Sequence, residues 1–144
     1  MLINIPSILS PELLKTLMEM GHGDELVIGD GNFPAASMAQ RLVRCDGHGV
    51  PDLLDAILRL FPLDSYVERP IALMAVVPGD NTVPIIWDRY REIAAARSPN
   101  ACEIEFVERF AFYERAKRAY AIVATGEAAL YANIILKKGV VVDE

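Results

Sequence analysis

His22 stands in Met20-Gly21-His22-Gly23-Asp24-Glu25, where glycines on both sides let the backbone approach a ligand closely. An imidazole whose ordinary pKa is about 6.5 can give or take a proton near neutral pH, which makes His22 a candidate general acid-base. The competing reading is a histidine that caps a helix end or faces solvent. The only other histidine, His48 in Asp46-Gly47-His48-Gly49, is read in that second way. Asp30 follows His22 by eight residues. At about 3.3 Å per residue a straight strand between the two keeps them apart, so contact requires a bend or another subunit. As a carboxylate leaving the end of a strand, Asp30 sits where ligands commonly bind in α/β sheets, although a turn aspartate bonding its own backbone has the same look.

Arg109 lies in Glu108-Arg109-Phe110-Ala111-Phe112-Tyr113-Glu114-Arg115, which brings aromatic rings and a bidentate donor together. A polyol site needs that mixture, with rings to cover C–H faces and polar forks to orient hydroxyls. The plainer reading leaves Phe110 and Tyr113 in the core with Arg109 on its rim. Tyr131-Ala132-Asn133 offers a phenol and an amide at alternate positions. If that segment is extended, both side chains point to one face. No Walker loop, G-x-G-x-x-G, G-x-S-x-G or H-E-x-x-H is present, which removes support for nucleotide chemistry, serine hydrolysis and zinc proteolysis.

These residues need a scaffold, and the hydrophobic pattern supplies one. Ser10 as N-cap and Pro11 at the first helical position open a helix carrying Leu13, Leu14, Leu17 and Met18, which runs to Gly21. Glu25 to Gly29 reads as a strand that His22 enters and Asp30 leaves, with 31–34 as the turn beyond. Residues 41–44 read as a second strand. Pro51 opens a helix with a Leu53, Leu54, Ile57, Leu58, Phe61 stripe, closed by Pro62. The apolar run from Pro70 to Val77 fits a strand covered on both faces. A helix from Pro84 to the Ser98-Pro99-Asn100 breaker, a strand over 103–107, a helix over 109–118, and strands over 120–125 and 133–137 complete the series. The alternation predicts one α/β domain over 1–144, with a central sheet flanked by helices.

Composition narrows the partners. Hydrophobic residues at 53% can bury enough surface to offset chain entropy, so disorder is excluded. A net charge of -6 argues against a nucleic-acid partner, and Arg115-Ala116-Lys117-Arg118 reads as a solvated helix face. No apolar run of about 18 residues is present and the first residues lack a secretory pattern, so no membrane association and a soluble, cytoplasmic protein are expected. Cys45 and Cys102 have no neighbouring Cys/His pattern for zinc and read as reduced thiols.

The segments Leu9-Ser10-Pro11-Glu12-Leu13-Leu14, Met20-Gly21-His22-Gly23-Asp24-Glu25, Asn32-Phe33-Pro34-Ala35, Arg44-Cys45-Asp46-Gly47 and the run from Glu108 to Lys117 occur together and in order. With Thr125-Gly126-Glu127, Tyr131-Ala132-Asn133-Ile134 and Lys138-Gly139-Val140 they span nearly the whole chain. As an ordered set they resemble the L-fucose mutarotase branch of the family that also contains D-ribose pyranase. The resemblance implies a ribose-pyranase-like fold and an isomerase of carbohydrate metabolism that interconverts the anomers of a free monosaccharide without cofactor or metal. It places the proton donor on His22 and sugar contacts on Asp30, Arg109 and the Y-G-N tripeptide, here Tyr131, Ala132 and Asn133. Ala132 departs from the family's glycine, and a methyl group there would narrow a pocket. A ring-shaped homo-oligomer, commonly a decamer with sites at subunit contacts, is also implied. The alternatives are a pyranase converting ribose between pyranose and furanose forms, and a monosaccharide-binding protein without catalysis.

Overall fold

The computed structural model describes residues 1–98 and 103–143. Cys102 and the Pro99-Asn100 part of the expected helix breaker lie outside the described residues. The first helix, α1 (Pro11–Glu19), begins as its sequence requires, with the Ser10 side-chain oxygen accepting the Leu13 N–H at 3.1 Å. In chain order there follow β1 (Glu25–Gly29), α2 (Ala35–Met38), β2 (Leu42–Cys45), α3 (Val50–Leu58), β3 (Ile71–Met74), α4 (Ile86–Arg97), β4 (Ile104–Val107), α5 (Arg109–Arg118), β5 (Ala121–Thr125) and β6 (Ile134–Lys137). The Glu108 carboxylate caps α5 by accepting the N–H groups of Phe110 and Ala111, each at 3.0 Å.

The strands form one six-stranded sheet in the order β2-β5-β1-β6-β3-β4. β1 and β2 each pair parallel with β5, β3 pairs parallel with β4, and β6 runs antiparallel between β1 and β3. Five strands therefore end at the same edge of the sheet, and β6 begins there.

Two apolar layers cover the sheet, and strand alternation sorts residues between them. Leu26, Ile28, Val123, Leu73 and Ile134 face a core built with Leu13 and Leu17 of α1, Leu53, Leu54 and Ile57 of α3, and Tyr90 and Ile93 of α4. Val27, Ile122, Ala72 and Ile135 face Phe33, Ala35 of α2, and Phe112 and Ala116 of α5. At 25 cal/mol per Å², roughly 1.5–3 kcal/mol comes from each large side chain so buried. This double covering explains why the Pro70–Val77 segment, which holds β3, reads as a continuous apolar run.

The expected α/β layering is present, and the differences are local. The one-turn helix α2 follows the expected 31–34 turn and has no counterpart in the sequence reading, because four residues are too short to show a helical period. α3 stops at Leu58, three residues before the end of its apolar stripe; the Leu60 and Phe61 N–H groups fold back onto the Ile57 carbonyl while Phe61 stays buried. The Pro70–Val77 run forms a strand only over Ile71–Met74, with one further bond from the Ala75 N–H to the Val107 carbonyl at 2.8 Å. No helix among the described residues is long and apolar enough to cross a membrane.

Candidate functional site

The edge where β1, β3, β4 and β5 end carries four of the residues singled out in the sequence. Asp30 follows β1, Arg109 opens α5 directly after β4, and Tyr131 and Asn133 precede β6. Asp30 and Asn133 are locked together: the Asp30 backbone N–H donates to Asn133 Oδ1 at 2.8 Å. That bond fixes which end of the amide is oxygen. Asn133 as a whole is buried, but its Nδ2 group has no hydrogen-bond partner among the described residues, where every fully buried side-chain nitrogen or oxygen has one, so this nitrogen is not fully buried and remains a donor.

The Asp30 carboxylate accepts the Asn32 N–H at 2.9 Å, a short turn that holds it over a cleft of about 270 Å³ lined by Phe33, Pro34, Arg44 and Thr125. Burial pushes the Asp30 carboxyl above its ordinary value, with the nearby Glu127 charge adding to the rise; backbone N–H groups of Asn32, Phe33 and Ala132 oppose it without cancelling it. A half-buried carboxylate of raised basicity is suited to accept a hydroxyl proton or hydrogen bond. Below it, Thr125 Oγ1 donates to the Gly29 carbonyl at 2.7 Å and the Gly31 N–H donates to the Glu127 carbonyl at 2.8 Å, joining the ends of β1 and β5.

The 131–133 segment is not extended, as alternation alone would have it. Tyr131 takes a left-handed conformation with φ of 56°, which a residue with a Cβ adopts only when its surroundings enforce it. Trp87 and Tyr90 of α4 do so: Trp87 Nε1 donates to the Tyr131 carbonyl at 2.8 Å and the Tyr90 hydroxyl to the Ala132 carbonyl at 2.7 Å. The Tyr131 hydroxyl then reaches the 77–80 loop, donating to Asp80 Oδ2 at 2.5 Å and accepting the Val77 N–H at 3.3 Å. Ala132 is fully buried, so its methyl group points into protein and takes no space from the clefts.

Arg109 is exposed, with Nε 3.4 Å from the Tyr113 hydroxyl and its guanidinium 5.4 Å and 5.6 Å from the Phe110 and Tyr113 ring centres. It borders a second cleft of about 400 Å³ between residues 75–78 and Phe106, Glu108 and Phe110. Among the described residues, no carboxylate hydrogen-bonds its donors.

His22 is at the other edge of the sheet, before β1, with the whole of β1 between it and Asp30. Five residues of strand put roughly 16 Å between the two edges. The turn around His22 is tied to the end of β6 and to itself: Gly23 has φ of 86° and its N–H donates to the Lys138 carbonyl at 2.8 Å, and the Gly21 N–H donates to Asp24 Oδ2 at 2.7 Å. Its Nε2 lies 3.1 Å from Asp64 Oδ1, and the Tyr66 ring sits 5.3 Å away. A single chain therefore brings Asp30, Tyr131 and Asn133 to one edge and leaves His22 outside that group.

Sequence reasoning missed Asp64, Asp80, Trp87 and Tyr90. In the sequence, Asp80 only closes the Pro78-Gly79-Asp80 turn that bounds the Pro70–Val77 run. Asp64, 42 residues from His22, carried no signal in the chain. His48 is exposed and contributes its backbone carbonyl to the Gly126 N–H at 2.9 Å, in keeping with a local role. No group of three or more His, Cys, Asp or Glu among the described residues could hold a metal ion.

The profile of the RbsD / FucU transport protein family matches residues 3–141. The chain belongs to that family. Among relatives of the RbsD / FucU family, the L-fucose mutarotase of Actinobacillus pleuropneumoniae is 55% identical over 142 residues, covering 97% of each chain. The human fucose mutarotase is 51% identical, covering 94% of this chain and 92% of its own. The crystal structure of the fucose mutarotase from Streptococcus pneumoniae in complex with L-fucose superposes with a TM-score of 0.94 at 59% identity, covering 98% of this chain and 100% of that one. Bacillus subtilis RbsD complexed with D-ribose shares the fold, with a TM-score of 0.73 at 23% identity.

Proposed function

We propose that this protein is a mutarotase that interconverts the α and β anomers of L-fucose. The observation that carries the reading is the full-length similarity to fucose mutarotases, including one whose structure holds L-fucose. The residues at the carboxyl edge suit a small polyol: a raised-pKa carboxylate at Asp30, an amide donor at Asn133, a guanidinium at Arg109 and a phenol at Tyr131.

Mutarotation transfers a proton from the anomeric hydroxyl to a base while the C1–O5 bond breaks and the ring oxygen gains a proton. The open aldehyde turns about C1–C2 and closes on its other face, reversing each step. One acid-base pair suffices and no cofactor is required. His22 carries the proton, Asp30 orients the sugar or receives its hydroxyl, and Arg109, Tyr131 and Asn133 hold the remaining hydroxyls. His22 reaches the sugar from a second copy of the chain, since its own Asp30 lies across the sheet. Exposed Val77, Phe106, Phe110 and Leu130 offer apolar surface for such a contact. The assembly is a closed homo-oligomeric ring, a decamer, working in the cytoplasm.

Saturation-transfer NMR on L-fucose tests the reading. Acceleration of anomer exchange by the native protein is expected, with a loss of roughly 10²–10⁴-fold in His22→Ala. Binding without acceleration, or faster pyranose–furanose exchange in ribose than anomer exchange in L-fucose, would overturn it.

A further inference from the structure

The Tyr131 hydroxyl is gripped by both ends of one turn. Residues 77–80 carry the signature of a type II turn, with Pro78 at its second position, Gly79 at its third with φ of 90°, and the Asp80 N–H donating to the Val77 carbonyl at 3.0 Å. That path of the chain sets the Val77 N–H and the Asp80 carboxylate side by side. The first donates to the phenol oxygen at 3.3 Å, and Asp80 Oδ2 accepts the phenol proton at 2.5 Å. The other carboxylate oxygen, Oδ1, is held by Thr82, whose N–H and hydroxyl donate to it at 2.9 Å and 2.6 Å. Val77 also lines the cleft that Arg109 borders, so the phenol is held next to that space.

A phenol has one proton to give and two lone pairs to offer. Here the proton is engaged by Asp80 and one lone pair by the Val77 N–H, so a single lone pair is left for a ligand. Charge keeps that assignment in place. Hydrogen bonds from Thr82 and Tyr131 hold the Asp80 carboxyl below its ordinary value, and the bond to Asp80 in turn holds the Tyr131 phenol above its own. At neutral pH the acid is therefore ionised and can only accept, while the phenol keeps its proton. A charge-assisted bond of this kind is about twice as strong as a neutral one, so a sugar oxygen competes poorly for that proton.

We propose that Asp80 is a positioning residue that sets specificity: by taking the phenol proton it makes Tyr131 an acceptor, so that the sugar group opposite must be a hydroxyl that donates. The proposal rests on the reading of Tyr131 as an L-fucose contact. Arg109 and the Asn133 amide nitrogen can only donate, and an ionised Asp30 can only accept. Tyr131 then adds a second acceptor, and each hydroxyl is read for direction as well as place. A group that cannot donate at the Tyr131 position leaves the phenol lone pair without a partner. If that group is electronegative, it also sets two electron-rich atoms against each other.

Two measurements test this. One is equilibrium binding of L-fucose and of derivatives in which a single ring hydroxyl is replaced by hydrogen or by fluorine. The other is the Raman spectrum of the protein without sugar, in which the intensity ratio of the tyrosine ring doublet is low for a phenol that donates to a carboxylate and rises for one that accepts. The chain has five tyrosines, so the Tyr131 signal is taken as the difference from Tyr131→Phe. In the native protein that difference should be a donor's. At one ring position, hydrogen should cost roughly 2- to 10-fold in affinity, the worth of one net hydrogen bond, and fluorine should cost more. In Asp80→Asn the Thr82 N–H, which can only donate, keeps the amide oxygen, and the amide NH2 is left facing the phenol. Both lone pairs of Tyr131 are then engaged and its O–H turns to the ligand, so the doublet ratio should rise and fluorine should bind better than hydrogen at that position. Residues 77–80 are exposed, so the substitution leaves the fold intact. An acceptor's signal from Tyr131 in the native protein overturns the proposal while leaving Tyr131 as a sugar contact. So does a loss in Asp80→Asn that is equal for every derivative, with their order unchanged. Equal affinity for L-fucose in Tyr131→Phe and the native protein overturns that contact, and this proposal with it.

Discussion

The side-chain oxygen of Asn133 accepts the backbone N–H of Asp30 across 103 residues of chain, at 2.8 Å. This bond ties the end of β1 to the start of β6 and leaves Nδ2 as the amide's donor. Asn133→Ala should lower stability by about 1–3 kcal/mol in urea unfolding, because the Asp30 N–H loses its acceptor, and should raise KM for L-fucose. Asn133→Asp restores an acceptor and with it most of the stability. It should not restore sugar affinity, since the amide donors are gone.

Asp30 gives a pH signature. Its carboxyl is raised in the folded protein, so ionisation opposes folding: the associated stability is fully present below the unfolded pKa near 3.8 and is lost as pH rises through the folded value. Asp30→Asn should accordingly melt at a higher temperature than the native protein at pH 7, and the difference should vanish as pH falls below about 4. The same variant should lose anomer exchange, a gain in stability at the expense of function.

Gly126 and Gly47 make opposite predictions from neighbouring turns. A Cβ on Gly126 would stand 2.2 Å from the backbone oxygen of Asp46, which cannot rotate away, whereas a Cβ on Gly47 meets nothing within 4 Å. Gly126→Ala should cost about 1–3 kcal/mol in thermal unfolding as the 46–48 turn is forced outward. Gly47→Ala should stay within about 0.5 kcal/mol of the native protein.

Trp87 is the chain's single tryptophan, and its indole N–H holds the Tyr131 carbonyl at 2.8 Å. Its emission should therefore change saturably on titration with L-fucose, and no change would separate the 131–133 segment from the sugar. Trp87→Phe removes the donor that supports the left-handed Tyr131. A loss of about 1 kcal/mol in stability is expected, with a rise in KM.

Much of the fold was legible because local chemistry and the final packing agree. Ser10-Pro11 and Arg109 open helices in sequence and in space, and the apolar run that holds β3 announces a strand covered on both faces. The candidate site was legible only in part. Asp30 stood out by leaving a strand, and Arg109 by opening a helix among aromatic residues. Tyr131 misled, because extended alternation was the local expectation and its left-handed turn is imposed by Trp87 and Tyr90, more than 40 residues away.

By itself, the sequence determined the α/β layering, the residue types able to handle a sugar proton, and the eight-residue separation that keeps His22 from Asp30 on one strand. Tertiary structure decided which side chains meet: Asn133 with Asp30, Tyr131 with Asp80, and Asp64 with His22. Periodicity records which face of an element is buried, and it fixes the layers. The order and direction of strands in the sheet, set by packing of the whole chain, bring residues 40 to 100 positions apart into hydrogen-bond range, and no local pattern encodes those pairs.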